Sequence, residues 1–562
     1  MAVKKTKKKK KRFGGGAFAS ASKSREQSPL RPKHVEKRPP CCDTCPSGNN
    51  IRGFLTAIAQ AERLKKPIDQ AMEEAWNIYT ETSPFPSVCG RVCPAPCETE
   101  CNRKELEGPV NVNKVERSIG DFGIEKGLKL KMLTEEKKSQ KVAVVGGGPS
   151  GLSAAYQLAR RGYGVTVYEA MQKAGGMLRW GIPGYRLPED VLDAEIQRIV
   201  DLGVELKCDA KIGPELSVTE LQKDYDAVYV ALGAQQGVRL GIDGEEAPNV
   251  FSGVDFLNRF HHGEKLDLGE DVVVIVVGGG DTAIDAARIC KRLGANVTIL
   301  YRRTRQEMPA IDTEIEEAIE EGITIEFLAA PVGFKKEGDL VSAMQCIRME
   351  LGEPDASGRR RPVPVEGSEF DIPATAVISA ISQKPDFCGF ESLIEGNSWI
   401  DVDDQGATKV EGIWAGGDVN RLDLVTTAIG HGRRAAEAID RKFSGTEAEE
   451  DTREVVRKDR MRLDHYEAVE REKAALLGPE ERLAGVETEV NKGFTPEQLL
   501  AETRRCMSCG YCFDCEKCWL FCQDQAIDKP MEKGVIYKFK LENCTGCKKC
   551  GEECPCGFID LL

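Results

Sequence analysis

The chain has 562 residues, 41% hydrophobic and 30% charged, with a formal net charge of −13, which is too long for one core and implies three or four folding units of a soluble globular kind. The longest aliphatic run, VVVIVV at 272–277, is far too short to cross a bilayer. Residues 4–12 contribute +8 by themselves, so the remainder is acidic enough to exclude a nucleic-acid binder.

The start, MAVKKTKKKKKR followed by FGGGAFASASKS, has no apolar segment of a secretory signal, and residues 1–33 read as a disordered basic tail. The 22 cysteines then divide as seven at 41–101, eleven at 506–556 and four between. Such clusters suit metal sites in a reducing cytoplasm, not a secreted disulfide scaffold. Residues 34–135 form the first unit: CCDTC at 41–45, then Cys93, Cys97 and Cys101 at C-x3-C spacing, with apolar residues at helical spacing between them.

Residues 136–270 open with KVAVVGGGPSGLSAAYQLARRGYGVTVYEA. A strand passes through Gly146-x-Gly148-x-x-Gly151 into a helix, and a second strand ends at Glu169, placed to accept hydrogen bonds from a ribose. DAVYVALGA at 226–234 is a further strand with Gly233 in its turn. The pattern recurs over 271–374, where Gly278-x-Gly280-Asp281-Thr282-Ala283 follows a strand. There the second strand ends at Arg302 and Arg303, which suit the 2′-phosphate of NADP(H) better than NAD(H), the alternative being solvated loop charges. Residues 375–445 return to the first unit through GIWAGGDV. Gly417 and Asp418 end that strand, Asp418 suited to a ribityl hydroxyl, and a helix beginning near Thr427 and Ala428 can face a flavin carbonyl. His431 beside it reads as a structural histidine.

Residues 446–500 read as a charged helical linker of about 80 Å. In the last unit, 501–562, Cys512, Cys515, Cys518 and Cys522 repeat the C-x2-C-x2-C-x3-C spacing of Cys544, Cys547, Cys550 and Cys554. In a two-cluster ferredoxin the fourth cysteine of each run serves the other [4Fe–4S] cluster; zinc-ribbon spacing differs. Cys556 is surplus, and Gln523 stands where proline usually follows the fourth cysteine.

The order of these segments resembles the two-dinucleotide-binding-domain flavoproteins, and among them the small (beta) subunit of glutamate synthase, over about residues 35–443. The segments GGMLRWGIPGYRLP (175–188), YRRTRQEMPA (301–310) and VCPAPCETEC (92–101) carry the likeness. Ser382 departs from it, since related proteins often have glycine there, at a position whose backbone is expected near the flavin. The resemblance implies an α/β chain with FAD on the first Rossmann-like unit, Gly176, Met177 and Leu178 included, NADP(H) on the second, and a helical iron–sulfur domain in front. It also implies two [4Fe–4S] clusters in that domain, one on Cys45, Cys93, Cys97 and Glu116, with an ordinary surface charge as the alternative for Glu116. The other would take Cys41, Cys101 and a C-x2-C pair from a segment resembling RCMDCG, absent upstream here but present as RCMSCG at 505–510. Cys506 and Cys509 are therefore expected to complete that cluster from the far end of the chain. The rival assigns it Cys42 and Cys89.

The expected activity is a cytoplasmic NAD(P)H:acceptor oxidoreductase. It would pass electrons between NADP(H), FAD and four [4Fe–4S] clusters, to or from a protein partner: a sulfite reductase-type enzyme, a ferredoxin or a larger complex. No protein acid or base is assigned, because the cofactors carry the hydride chemistry. The alternatives are a flavin subunit of an electron-bifurcating NADPH–ferredoxin complex, a glutamate synthase small subunit, and a structural iron–sulfur assembly subunit.

Overall fold

The computed structural model describes residues 28–562 except 214–215, 267, 356–357, 395, 397–398 and 449–450. The tail expected over 1–33 therefore lies outside the described residues as far as 27. From 28 onward it is a correction: Pro32–His34 is a strand pairing antiparallel with Ile559–Leu561, so the N-terminal segment is the edge of the C-terminal domain. A three-residue strand carries too little periodicity to be read without its partner.

The N-terminal domain is helical. Helix Val112–Glu125 crosses helix Pro86–Val92 at backbone contact: a Cβ on Gly90 would stand 2.1 Å from the Arg117 nitrogen, and one on Gly120 2.1 Å from the Ser87 nitrogen. Its apolar core runs on into the first nucleotide domain, Ile51, Phe54, Val88 and Val115 sharing one cluster with Leu152, Tyr156 and Ile429. Across this joint the buried Glu195 carboxylate accepts the Ser87 and Val88 amides at 2.8 and 3.1 Å. Burial outweighs those two bonds and pushes its pKa up to about 7. Between the ordinary carboxylate range and that value, the folded chain holds a proton the unfolded chain has released, so stability falls as pH rises from 5 to 7. Glu195→Gln should abolish this slope. Relative to wild type its thermal stability should rise across that window, by on the order of 1–3 kcal/mol; parallel melting curves from pH 5 to 7 would refute the assignment.

Both nucleotide domains are built on five-stranded parallel sheets. In the first the order is Ile413–Ala415, Ala227–Val230, Lys141–Val145, Gly164–Tyr168, Glu205–Lys207. In the second it is Thr324–Phe327, Asn296–Tyr301, Val273–Val277, Ala376–Ser379, Val250–Ser252, with a three-stranded antiparallel sheet appended over Ala329–Pro373. The boundaries expected at 271 and 374 are too narrow, since strands 250–252 and 376–379 belong to the second sheet. The two chain crossings form a small ribbon, Gln236–Gly237 against Gln383–Lys384.

The linker 446–500 is not a continuous helix. Among its described residues the helical pieces are short turns, Pro479–Ala484, and the start of Pro496–Arg504; the others form an extended strap. Its charges meet partners far away in sequence, which removes the reason to coil locally. Arg457 pairs with Glu100, Lys458 with Glu105, Arg471 with Glu98 and Arg482 with Glu320. The strap thus crosses the N-terminal domain, reaches the second nucleotide domain and returns before delivering Cys506.

Candidate nucleotide and iron–sulfur sites

The first Rossmann turn leaves no room for a side chain at Gly146 or Gly151. Gly146 has φ +106°, and a Cβ on Gly151 would meet the Gly146 carbonyl oxygen at 1.9 Å. Backbone can therefore approach a pyrophosphate at the N-terminus of helix Pro149–Ala159. A cavity of about 420 Å³ lies there, lined by Gly146, Gly148, Glu169, Gly176, Met177, Gly233, Gly417, Asp418 and Ala428 among others. Glu169 accepts the Gly147 and Met171 amides at 2.7 and 2.9 Å, and burial raises its pKa against those bonds. Asp418, also raised by burial, to about 6, stands on the opposite wall with Gly417. These donors and acceptors fit a flavin dinucleotide. Three expected residues lie behind the wall: Gly151 packs under the turn, Leu178 is in the core, and the Thr427 hydroxyl contacts Asp423 at 3.2 Å. His431 is structural, its Nδ1 accepting the Gly417 amide at 3.1 Å and its pKa lowered to about 4 by burial.

The second cavity, about 510 Å³, is lined by Gly278, Gly280, Thr282, Tyr301, Arg302, Arg303 and Ser382. Asp281 is turned away, accepting the Ile311 amide at 3.0 Å. The two arginines differ. Arg303 is buried and committed, donating to the Arg360 carbonyl at 2.7 Å and to Asp355 at 2.9 Å, whereas Arg302 is exposed at the cavity wall. Ser382, expected near the flavin, lies in this second cavity, and its carbonyl accepts the Val238 amide at 3.0 Å.

The cysteines gather into four groups. Cys45, Cys93 and Cys97 each feel the charge of Glu116, which is buried; its pKa is pushed up to about 8 by burial, then by the charge of Glu98, against a hydrogen bond from Asn49. Cys41 lies among Cys42, Cys101 and Cys509, and Cys506 among Cys101, Cys42 and Cys509, with the Asn102 amide donating to Cys509 Sγ at 3.6 Å. Cys89 is instead beside Cys93, Glu116 and Tyr79. In the C-terminal domain Cys512, Cys515, Cys518 and Cys554 line one small cavity, and Cys522, Cys544, Cys547 and Cys550 line another. The two halves repeat locally: Asp514 and Gly546, then Glu516 and Lys548, share positive φ at equivalent steps of the two runs. Four thiol-rich groups, one with a buried carboxylate, fit iron–sulfur clusters.

The segment carrying Cys506 and Cys509 is locked to the N-terminal domain by a buried node. Arg505 donates to Glu502, to the carbonyls of Gly108, Pro109 and Val469, and to Glu107, while Glu502 accepts the Asn111 and Glu472 amides at 2.6 and 2.8 Å. Arg52 binds the Cys509 carbonyl at 3.0 Å.

The pyridine nucleotide-disulphide oxidoreductase family matches residues 140–432, and the domain described as dihydropyrimidine dehydrogenase domain II, 4Fe-4S cluster, matches 34–128. The NADPH-Fe(3+) oxidoreductase subunit beta of Geobacter sulfurreducens is 38% identical over 84% of this chain and 75% of its own. The glutamate synthase [NADPH] small chain of Escherichia coli is 36% identical over 71% and 88%. The chain belongs to the glutamate synthase small-subunit family of iron–sulfur flavoproteins.

A further relative, the NADP(+)-dependent formate dehydrogenase subunit beta of Moorella thermoacetica, is 40% identical over 71% of this flavoprotein and 59% of its own length. Among solved structures, Mycobacterium tuberculosis FprA in complex with NADPH overlays at TM-score 0.49 with 18% identity, covering 56% of this chain and 88% of that one. The flavoprotein is an NAD(P)H-dependent oxidoreductase with 4Fe-4S clusters. No helix among its described residues is long and apolar enough to cross a membrane.

Sequence reasoning missed Asn49, Asn102, Glu502 and Arg505, polar residues whose partners lie tens to hundreds of positions away. It also treated Arg302 and Arg303 as a pair. With Arg303 held by Asp355, Arg302→Ala should raise KM for NADPH at least tenfold while leaving NADH nearly unchanged, since a charged hydrogen bond to phosphate contributes about 1.5–3 kcal/mol. Arg303→Ala should chiefly lower stability. Equal loss with both nucleotides on Arg302→Ala would contradict the division.

Proposed function

We propose that this flavoprotein oxidises NADPH and delivers the two electrons one at a time to a protein partner: NADPH and two oxidised acceptors become NADP+, a proton and two reduced acceptors. FAD, when bound, supplies the conversion of hydride to single electrons, and the clusters supply one-electron carriage. The protein's own part is to hold and orient. Gly146, Gly148 and Glu169 would seat the flavin dinucleotide, with Gly417, Asp418 and Ala428 on the opposite wall. Gly278, Gly280, Thr282 and Arg302 would seat NADP(H).

The observation that carries this reading is the meeting of Cys506 and Cys509 with Cys41 and Cys101. That set would join the four groups in one series along the chain. Cys41 and Cys45 share a helix and its cap, Cys97 and Cys101 are four residues apart, and Cys509 and Cys512 are three apart, at most about 10 Å of chain. A structural subunit would need no such continuity. The relatives' names favour NADPH and membership of a larger complex, and the clustered thiols favour a reducing cytoplasm. A sulfite reductase-type partner has no comparable support.

Anaerobic titration with NADPH and separately with NADH, followed by flavin and cluster absorbance, tests the proposal. Four clusters predict about 16 iron per chain, with bleaching by NADPH at the lower concentration. Full flavin with no bleaching by either nucleotide would overturn it.

A further inference from the structure

The end of the cysteine series carries an unusual surface. Between Cys518, in one cavity, and Cys522, in the other, stand Trp519, Leu520 and Phe521, exposed by 41, 66 and 40%. The loop of the Ile527–Asp528 and Lys538–Phe539 hairpin adds Met531, wholly exposed, and Val535 at 38%. Single exposed apolar residues are ordinary, but three in succession mark an interaction site, and the hairpin approaches them through Lys529. The patch sits on the three-residue link between two thiol groups, where covering it would bring a partner against both.

Its rim says what the partner is. Lys529 Nζ lies 4.9 Å from the Trp519 ring and Lys517 Nζ 6.0 Å from the Phe521 ring. Lys529 and Lys533 share one carboxylate, Glu516, at 2.6 and 3.0 Å, and among the described residues Lys517 makes no ion pair. Lys517, Lys529 and Lys533 outnumber Glu516 and the exposed Glu532, so this face is slightly positive on a chain whose net charge is −13. An acidic protein repelled by the rest of the surface is therefore steered here, with the aromatic and aliphatic centre providing the contact.

We propose that the face of Trp519, Leu520, Phe521, Met531 and Val535, rimmed by Lys517, Lys529 and Lys533, docks an acidic one-electron carrier protein. The proposal rests on the electron-relay reading: each docking passes one electron, so one NADPH serves two carriers.

The test is direct binding of a small acidic 2[4Fe–4S] ferredoxin to the full holoprotein by interferometry, with basic cytochrome c as counter-probe. Leu520→Glu, at a solvent-exposed position, should weaken ferredoxin binding at least tenfold. Lys517→Glu should slow association and flatten its dependence on salt. Both variants should bleach with NADPH as wild type does. Unchanged ferredoxin affinity in both variants, tighter binding of cytochrome c, or self-association of the chain through this face would overturn the proposal. Failure of the wild type to bleach would sink the relay reading instead, and the binding result would separate the two.

Discussion

Replacing Cys506 with alanine should lower iron from about 16 to about 12 per chain and open the N-terminal domain to proteolysis. Cys506 and Cys509 lie in a group with Cys41 and Cys101, although some four hundred positions separate them along the chain. Loss of one thiol removes a ligand, and although Cys42 lies nearby, its place next to Cys41 on helix Pro40–Thr44 makes joint ligation awkward. The Arg505–Glu502 node would remain, so the segment should stay docked by hydrogen bonds while its cluster is lost. Cys42→Ala and Cys89→Ala serve as controls and should keep about 16 iron. Iron loss in those two with none in Cys506→Ala would establish the rival ligand set. Loss confined to the spectroscopic signals of the C-terminal clusters would likewise refute the join between the chain's two ends.

Gly151→Ala should strip the protein of flavin while leaving its iron. The added Cβ would stand 1.9 Å from the Gly146 carbonyl oxygen and 3.0 Å from a Val144 methyl, and the closer atom is backbone, which cannot swing aside. The turn must open, and overpacking of this kind costs about 1–3 kcal/mol, the upper end being roughly a hundredfold in affinity. Fluorescence titration of the apoprotein with FAD measures the change, and iron content reports that the remaining domains have folded. Gly164→Ala, whose Cβ would meet nothing closer than 3.6 Å on the same sheet, should bind FAD normally. Equal affinity of the Gly151 variant and wild type would remove the pyrophosphate role assigned to this turn.

Much of the site was legible because its signals are local. A glycine turn between strand and helix is a backbone requirement spanning six residues, so Gly146, Gly148 and Gly151 can be read without any partner, as can Gly278 and Gly280. The spacing of the two cysteine runs at 512–522 and 544–554 is likewise local, and the repeated positive φ at Glu516 and Lys548 shows one loop geometry used twice. Charge in 446–500 was the misleading signal. A run of acidic and basic residues is equally consistent with a solvated helix and with an extended strap whose ions pair outward, and only packing against Glu98, Glu100 and Glu320 separates them.

By itself the sequence determined the order of domains, the two parallel nucleotide units and the division of cysteines into repeating runs, since each rests on short-range stereochemistry. Tertiary structure alone decided which residues share a site. It held Arg303 to Asp355 and left Arg302 at the cavity wall, moved Ser382 to the second cavity, and turned residues 32–34 into a strand of the C-terminal domain. It also brought Cys506 to Cys101. The physical reason is common to all four: ion pairs, ladder bonds and thiol groupings between distant residues depend on how whole domains pack, which no spacing along the chain records.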